Sequence, residues 1–177
     1  MNADPLQQFA AWWDEEQVPV VVATADADGA PSARAVVLEG FDERGFVFYT
    51  SAESRKGREL AANPRAALVA LWDGRQARVE GGVERVSDAD ADAHWAGREG
   101  KRPLAAFRQD APAGSREELE RLVERVPAEP ERPRFWVGYR IVPGRYEFWA
   151  VDPDFLHDRF EYVPANGGGW TRRRLQP

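Results

Sequence analysis

The sequence predicts a mainly β, α+β protein: one antiparallel barrel with a few peripheral helices. About eight β-rich runs outnumber four helical stretches, tight turns of Asp, Asn and Gly separate most of them, and such short hairpins favour a closed antiparallel barrel over a parallel sheet. A chain of 177 residues fits one domain, residues 1–177, and no internal repeat is visible.

The elements follow in order. Asp4 caps a helix whose first position is Pro5, and Phe9, Trp12 and Trp13 recur on one side until about Gln17. Val18 to Thr24, Ser32 to Leu38 and Phe46 to Thr50 read as strands, with turns at Asp26-Ala27-Asp28-Gly29 and Asp42-Glu43-Arg44-Gly45. A helix from about Ser54 to Ala62 stops at Asn63-Pro64, and strands Ala66 to Trp72 and Arg75 to Val86 flank Asp73-Gly74. Ser87 with Asp90 caps a further helix, and Ser115-Arg116-Glu117-Glu118 is a capping box before Leu119, Leu122, Val123 and Val126. Residues 97–114, rich in Gly, Pro and Arg, form the longest irregular stretch. Phe135 to Val142, Gly144 to Ala150 and His157 to Val163 are strands, and Asn166-Gly167-Gly168-Gly169 turns into a last short one.

Composition narrows the function. Hydrophobic residues at 43% and charged residues at 31% suit a globular domain, and no apolar run reaches the ~18 to 20 residues of a membrane span. Met1-Asn2-Ala3-Asp4-Pro5 has no signal-peptide character, so a cytoplasmic location is expected. With no cysteine and only His94 and His157, disulfides, thiolate chemistry and a histidine-rich metal site are not expected. A net charge of -6 argues against nucleic acid as a partner. Asp88, Asp90 and Asp92 complement a helix N-terminus rather than form a cation site.

Two segments stand out. Ser54-Arg55-Lys56 opens a helix directly after Tyr49-Thr50, placing two cations where the helix dipole is already positive. An anion such as phosphate makes sense of that arrangement, through free N–H groups, a cap hydroxyl and charge-assisted hydrogen bonds. The bland reading is a solvated basic turn relieved by an Arg55 to Glu59 pair at helical spacing. Near the end of the chain, Tyr146-Glu147-Phe148-Trp149 is followed by Leu156-His157-Asp158-Arg159-Phe160. Read as strand, His157 and Arg159 share one face roughly 6 to 7 Å apart, a titratable ring beside a permanent cation. The bland reading there is a core Trp with a surface His-Asp-Arg cluster.

These blocks together, in order from about Pro31 to Pro177, resemble the pyridoxamine 5'-phosphate oxidase family, FMN enzymes on a split β-barrel that include a phenazine-biosynthesis branch. The resemblance implies that Tyr49, Thr50, Arg55 and Lys56 hold the FMN phosphate. It runs Arg34, Ala35, Val36 and Val37 along the isoalloxazine ring, and gives Gln76, Gln109, Trp149 and Arg159 flavin contacts. His157 becomes the substrate-side histidine, with Arg159 its catalytic neighbour. It further implies a homodimer with shared sites, and hydride transfer from a small-molecule substrate with reoxidation by dioxygen. Seven Trp and nine Phe, more large apolar surface than one small core hides, also predict a dimer.

The chain departs from the family pattern around the substrate. Phe155 and Glu39 stand where vitamin-oxidising members carry Arg and Lys, and of the Tyr, Arg and Ser that grip the substrate phosphate only Arg98 is kept, with Lys101 and Arg102 nearby. Pyridoxamine or pyridoxine 5'-phosphate leads by resemblance, yet Phe155 and Glu39 predict a poor oxidase of it. The alternatives are an oxidase of another aromatic metabolite, as in the phenazine branch, and a flavin-binding protein without turnover.

Overall fold

The computed structural model describes residues 1–177. Helix α1 (Pro5–Glu15) starts at the Asp4 cap, whose carboxylate accepts the Gln7 N–H. Its aromatic face docks as expected: Phe9 meets Phe46 edge-on at 4.8 Å, and Trp12 meets Trp72 at 5.6 Å and Phe148 at 5.4 Å. Phe9, Phe46 and Phe148 are fully buried, and full burial of one such ring stabilises by about 1.5 to 3 kcal/mol.

Nine strands follow: β1 (Val20–Ala25), β2 (Pro31–Val36), β3 (Gly40–Asp42), β4 (Gly45–Ser51), β5 (Arg65–Trp72), β6 (Arg75–Arg85), β7 (Trp136–Ala150), β8 (Asp158–Pro164) and β9 (Trp170–Arg174). All pairings are antiparallel, in the order β2-β1-β5-β6-β7-β4-β3, with β8 and β9 branching from β7. The barrel is therefore split, as the family resemblance implied, whereas the short hairpins alone favoured a closed one.

The cause is β7. It was expected as two strands, but it runs for 15 residues as one. One edge pairs with β6 along its length; the other pairs with β4 from Trp136 to Ile141 and with β8 from Tyr146 to Ala150. Between them stands Pro143, which has no N–H to donate, and the register with β6 shifts there: Gly81 pairs with Pro143 and Glu80 with Arg145, leaving Gly144 as the extra residue of β7. Gly81 is required there, because a Cβ would lie 1.9 Å from the Val142 carbonyl oxygen.

Helix α2 (Arg55–Ala62) lies after β4, and α3 (Asp88–Gly97) covers a second cluster of Trp95, Phe135 and Trp136. Within the stretch expected to be irregular, α4 (Lys101–Ala106) forms a single short helix after Gly100, which takes a left-handed φ of 66°. Helix α5 (Arg116–Glu124) follows the Ser115 cap, and none of its residues is buried. No helix is long and apolar enough to cross a membrane.

Candidate functional site

Sheet order places the singled-out residues in three groups. The first is at the start of α2. Ser54 caps it, accepting the Gly57 N–H at 3.2 Å. The Lys56 ammonium donates to the Thr50 hydroxyl (3.0 Å), the Ser54 hydroxyl (3.3 Å) and the Gln109 carbonyl (3.4 Å), and Thr50 donates to Gln109 (3.1 Å). Thr50, Lys56 and Gln109, 59 residues apart at the extremes, thus meet in the structure. Burial pushes the Lys56 pKa down, and Arg34 adds to that shift. The Arg55 N–H donates to the Asp110 carboxylate, so an anion already sits on the helix N-terminus.

The bland pair exists as well: Arg55 Nε meets Glu59 at 2.8 Å. Glu59 is 5% exposed and also accepts from Thr24, from Ser32 (2.6 Å) and from Arg34 (3.4 Å). Burial raises its pKa, but the Ser32 and Thr24 hydroxyls and the Arg55 guanidinium outweigh that and hold it at about 2. Arg34 also reaches Thr24 (2.7 Å) and the Val22 carbonyl (3.1 Å). Ala35 and Val36 follow on β2, an edge strand paired only with β1, and the exposed Val37 comes directly after it.

The second group lies under α3. Tyr49 stacks on His94 at 3.6 Å with the planes 4° apart. A Cβ on Gly138 would come within 2.7 Å of the Tyr49 ring, so this glycine lets the ring cross β7. Glu39 bridges Arg98 (2.8 Å) and His94 Nε2 (3.3 Å), and the Arg98 guanidinium lies over Trp136. Arg102 is engaged elsewhere, donating to the Val123, Val126 and Glu124 carbonyls beside the α5 C-terminus. Lys101 pairs with Glu129.

The third group forms a row across three strands, with Gln76 beside Trp149 and Trp149 beside Arg159. His157 precedes β8 rather than opening it, yet its ring lies 4.9 Å from Trp149. Its Nδ1 accepts the Asp152 N–H at 3.0 Å, which assigns the proton of the neutral ring to Nε2. Phe155 is 79% exposed at φ 61°, a left-handed conformation strained for an aromatic residue, with its ring 6.0 Å from His157. Arg159 is held by the buried Glu147 at 3.1 and 3.3 Å.

The first and third groups share no contact. Thr50 pairs with Val137 and Gln76 with Trp149, so they mark opposite ends of β7. At ~3.3 Å rise per residue the strand path between those rungs is on the order of 40 Å, longer than a flavin mononucleotide.

Sequence reasoning missed Glu59, His94, Asp110 and Glu147 as parts of the site. Glu59 alone left a signal, its helical spacing from Arg55.

The fold defines the class: a split antiparallel barrel whose longest strand has a donor-rich helix start at one end and an aromatic-cationic row at the other. A family model described as pyridoxamine 5'-phosphate oxidase matches residues 6–129, and one described as the pyridoxine 5'-phosphate oxidase C-terminal dimerisation region matches residues 136–177. The chain belongs to the pyridoxamine 5'-phosphate oxidase family. It is 48% identical to the pyridoxine/pyridoxamine 5'-phosphate oxidase of Bordetella petrii, over 99% of this chain and 90% of the relative. Identity to the protein of that name from Rubrobacter xylanophilus is 50%, over 99% and 88%. PhzG of Burkholderia lata, solved with tetrahydrophenazine-1-carboxylic acid, superposes with a TM-score of 0.89 at 31% identity, covering 99% of this chain and 94% of PhzG. An FMN-binding relative from Nostoc punctiforme shares the fold at a TM-score of 0.83 and 18% identity, over 100% of both chains.

Proposed function

We propose that this chain is an FMN-dependent oxidase that works as a homodimer, each cofactor lying between the α2 end of one chain and the Gln76-Trp149-Arg159 row of the other. The carrying observation is the pair of complementary half-sites at opposite ends of β7. The donor set at α2 fits a phosphate: two hydroxyls, one ammonium and a helix N–H now taken by a carboxylate that stands in for an anionic oxygen. When bound, FMN supplies a hydride acceptor that dioxygen can reoxidise.

The chain's own residues do the rest. Lys56, Thr50 and Ser54 anchor the phosphate, and Gln109 orients Lys56. Trp149 and Gln76 set the ring's position, and Arg159 supplies positive charge where hydride arrival leaves negative charge. His157, its Nδ1 occupied, presents Nε2–H toward the donor and can move a proton at that atom. The test is anaerobic mixing with a candidate amine or alcohol donor: bleaching of the flavin, then recovery in air, supports an oxidase. A protein that binds FMN but never bleaches is a carrier.

A second reading concerns the donor. The relatives' name makes pyridoxine or pyridoxamine 5'-phosphate the first donor to try. The Glu39 to Arg98 ion pair favours a donor without a phosphate, because the guanidinium that would meet it is already neutralised. The exposed Phe155 offers an aromatic wall instead.

A further inference from the structure

Behind the Trp149 row lies a buried charge network that the proposed chemistry does not itself use. Glu147 (β7) and Glu161 (β8) are both 3% exposed. Four arginines close over them. Glu147 meets Arg159 through two parallel bonds, and also Arg78 at 3.5 Å and Arg145 at 3.5 Å. Glu161 meets Arg145 at 2.7 Å and Arg173, but not Arg159.

Burying a carboxylate costs several kcal/mol unless it is paired, so two side by side call for a reason. For Glu161 the reason is structural, since it ties β9 to β7. Glu147 does something different. The fork grips Arg159 at Nε and Nη2, while Nη1 donates to the Gln176 carbonyl at 3.1 Å. A guanidinium is rigid and planar, so three engaged nitrogens fix its plane. Glu147 also keeps a negative charge within one side chain of that cation.

We propose that Glu147 is a positioning residue: it fixes the Arg159 guanidinium and offsets its charge, and so sets how strongly this end of the site favours a reduced, more negative ligand. This rests on the reading that Arg159 lies beside the flavin. It makes Glu147, rather than Arg159 alone, the residue that tunes the cofactor.

The experiment measures the two-electron midpoint potential and FMN affinity of the holoprotein in wild type, Glu147→Gln, Glu147→Asp, Glu161→Gln and Arg159→Lys. Removing the Glu147 charge should favour reduced over oxidised FMN by about tenfold, about 30 mV upward for two electrons. Glu147→Asp keeps the charge and shortens the reach, and should shift the same way by less. Glu161→Gln removes an equally buried carboxylate and should leave the potential at the wild-type value, which a merely structural role for Glu147 would not distinguish. The proposal is overturned if both Glu147 variants keep the wild-type potential while Arg159→Lys shifts it, or if Glu161→Gln shifts it as far as Glu147→Gln. A silent Arg159→Lys with normal FMN affinity instead removes the flavin from Arg159, and the underlying reading fails first.

Discussion

The two ends of β7 hold their cations in opposite ways. At the α2 end Lys56 hydrogen-bonds only neutral oxygens, those of Thr50, Ser54 and Gln109, and burial lowers its pKa. At the far end Arg159 lies in the fork of a buried carboxylate. A cation in direct contact only with neutral oxygens gains more from an anion brought from outside than one already gripped by a carboxylate, which is fixed in place. Under the proposed function, the first end binds and the second orients.

The largest test breaks the two ends apart. Lys56→Ala should weaken FMN roughly ten- to a hundredfold, since a hydrogen bond to a charged group is worth ~1.5 to 3 kcal/mol. Arg55→Ala should cost less, because that side chain serves Glu59. A 1:1 mixture of Lys56→Ala and Trp149→Ala chains, refolded together, should recover tight FMN binding at about a quarter of the sites, because half of the dimers pair one of each and hold one intact site. Fluorescence titration with no recovery places both ends of the site in one chain.

The next effect is at Glu39. Glu39→Lys with Phe155→Arg should raise kcat/KM for pyridoxine 5'-phosphate by tenfold or more, as Arg98 is released and two cations are added. Steady-state oxygen uptake decides it, and a wild type already as efficient as its relatives defeats the idea.

Smaller still, Asp110→Asn should tighten FMN several-fold by removing a carboxylate from the phosphate's place at the Arg55 N–H. Weaker binding would mean that Asp110 assists the anion site instead of competing for it.

The smallest effect concerns stability. Glu59 is held at about 2 against an ordinary 4.5, so the unfolded chain binds more protons across that window. Its contribution is complete above about pH 4.5 and is lost as pH falls toward 2. Thermal melts of Glu59→Gln should show a lower Tm at neutral pH and a shallower decline on acidification, and a decline as steep as wild type contradicts this.

Much of the fold was legible because it is local. The Asp4-Pro5 cap, the Asp-Gly turns and the aromatic spacing of α1 each act over a few residues. The split was legible only through the family resemblance, since β4 and β8 share one edge of β7 only through register, and Pro143 reads equally well as a break between two strands. Helix α4 was missed because its six residues carry no side-chain cap. Thr50, Lys56 and Gln109 were singled out through the family pattern, and the structure brings them into contact across 59 residues of sequence. Glu147 stayed hidden because an alternating Tyr-Glu-Phe reads as a strand with one wet face; only pairing with β6 and β8 shows that arginines cover it.

Because β7 pairs with β4, β6 and β8, the order of synthesis matters. Phe46 on β4 waits for Ile141, and every partner of that strand except β8 has left the ribosome before β7 does. Until then β4 has only the short β3 beside it, and the buried Phe46 lacks the part of its core that β7 supplies. Such long-range pairing slows folding and leaves an open sheet edge to be shielded in the nascent chain. The strand that carries Trp149 also supplies Ile141 and Phe148 to the core, so a substitution that unseats β7 should open the sheet and scatter the Gln76-Trp149-Arg159 row in one step.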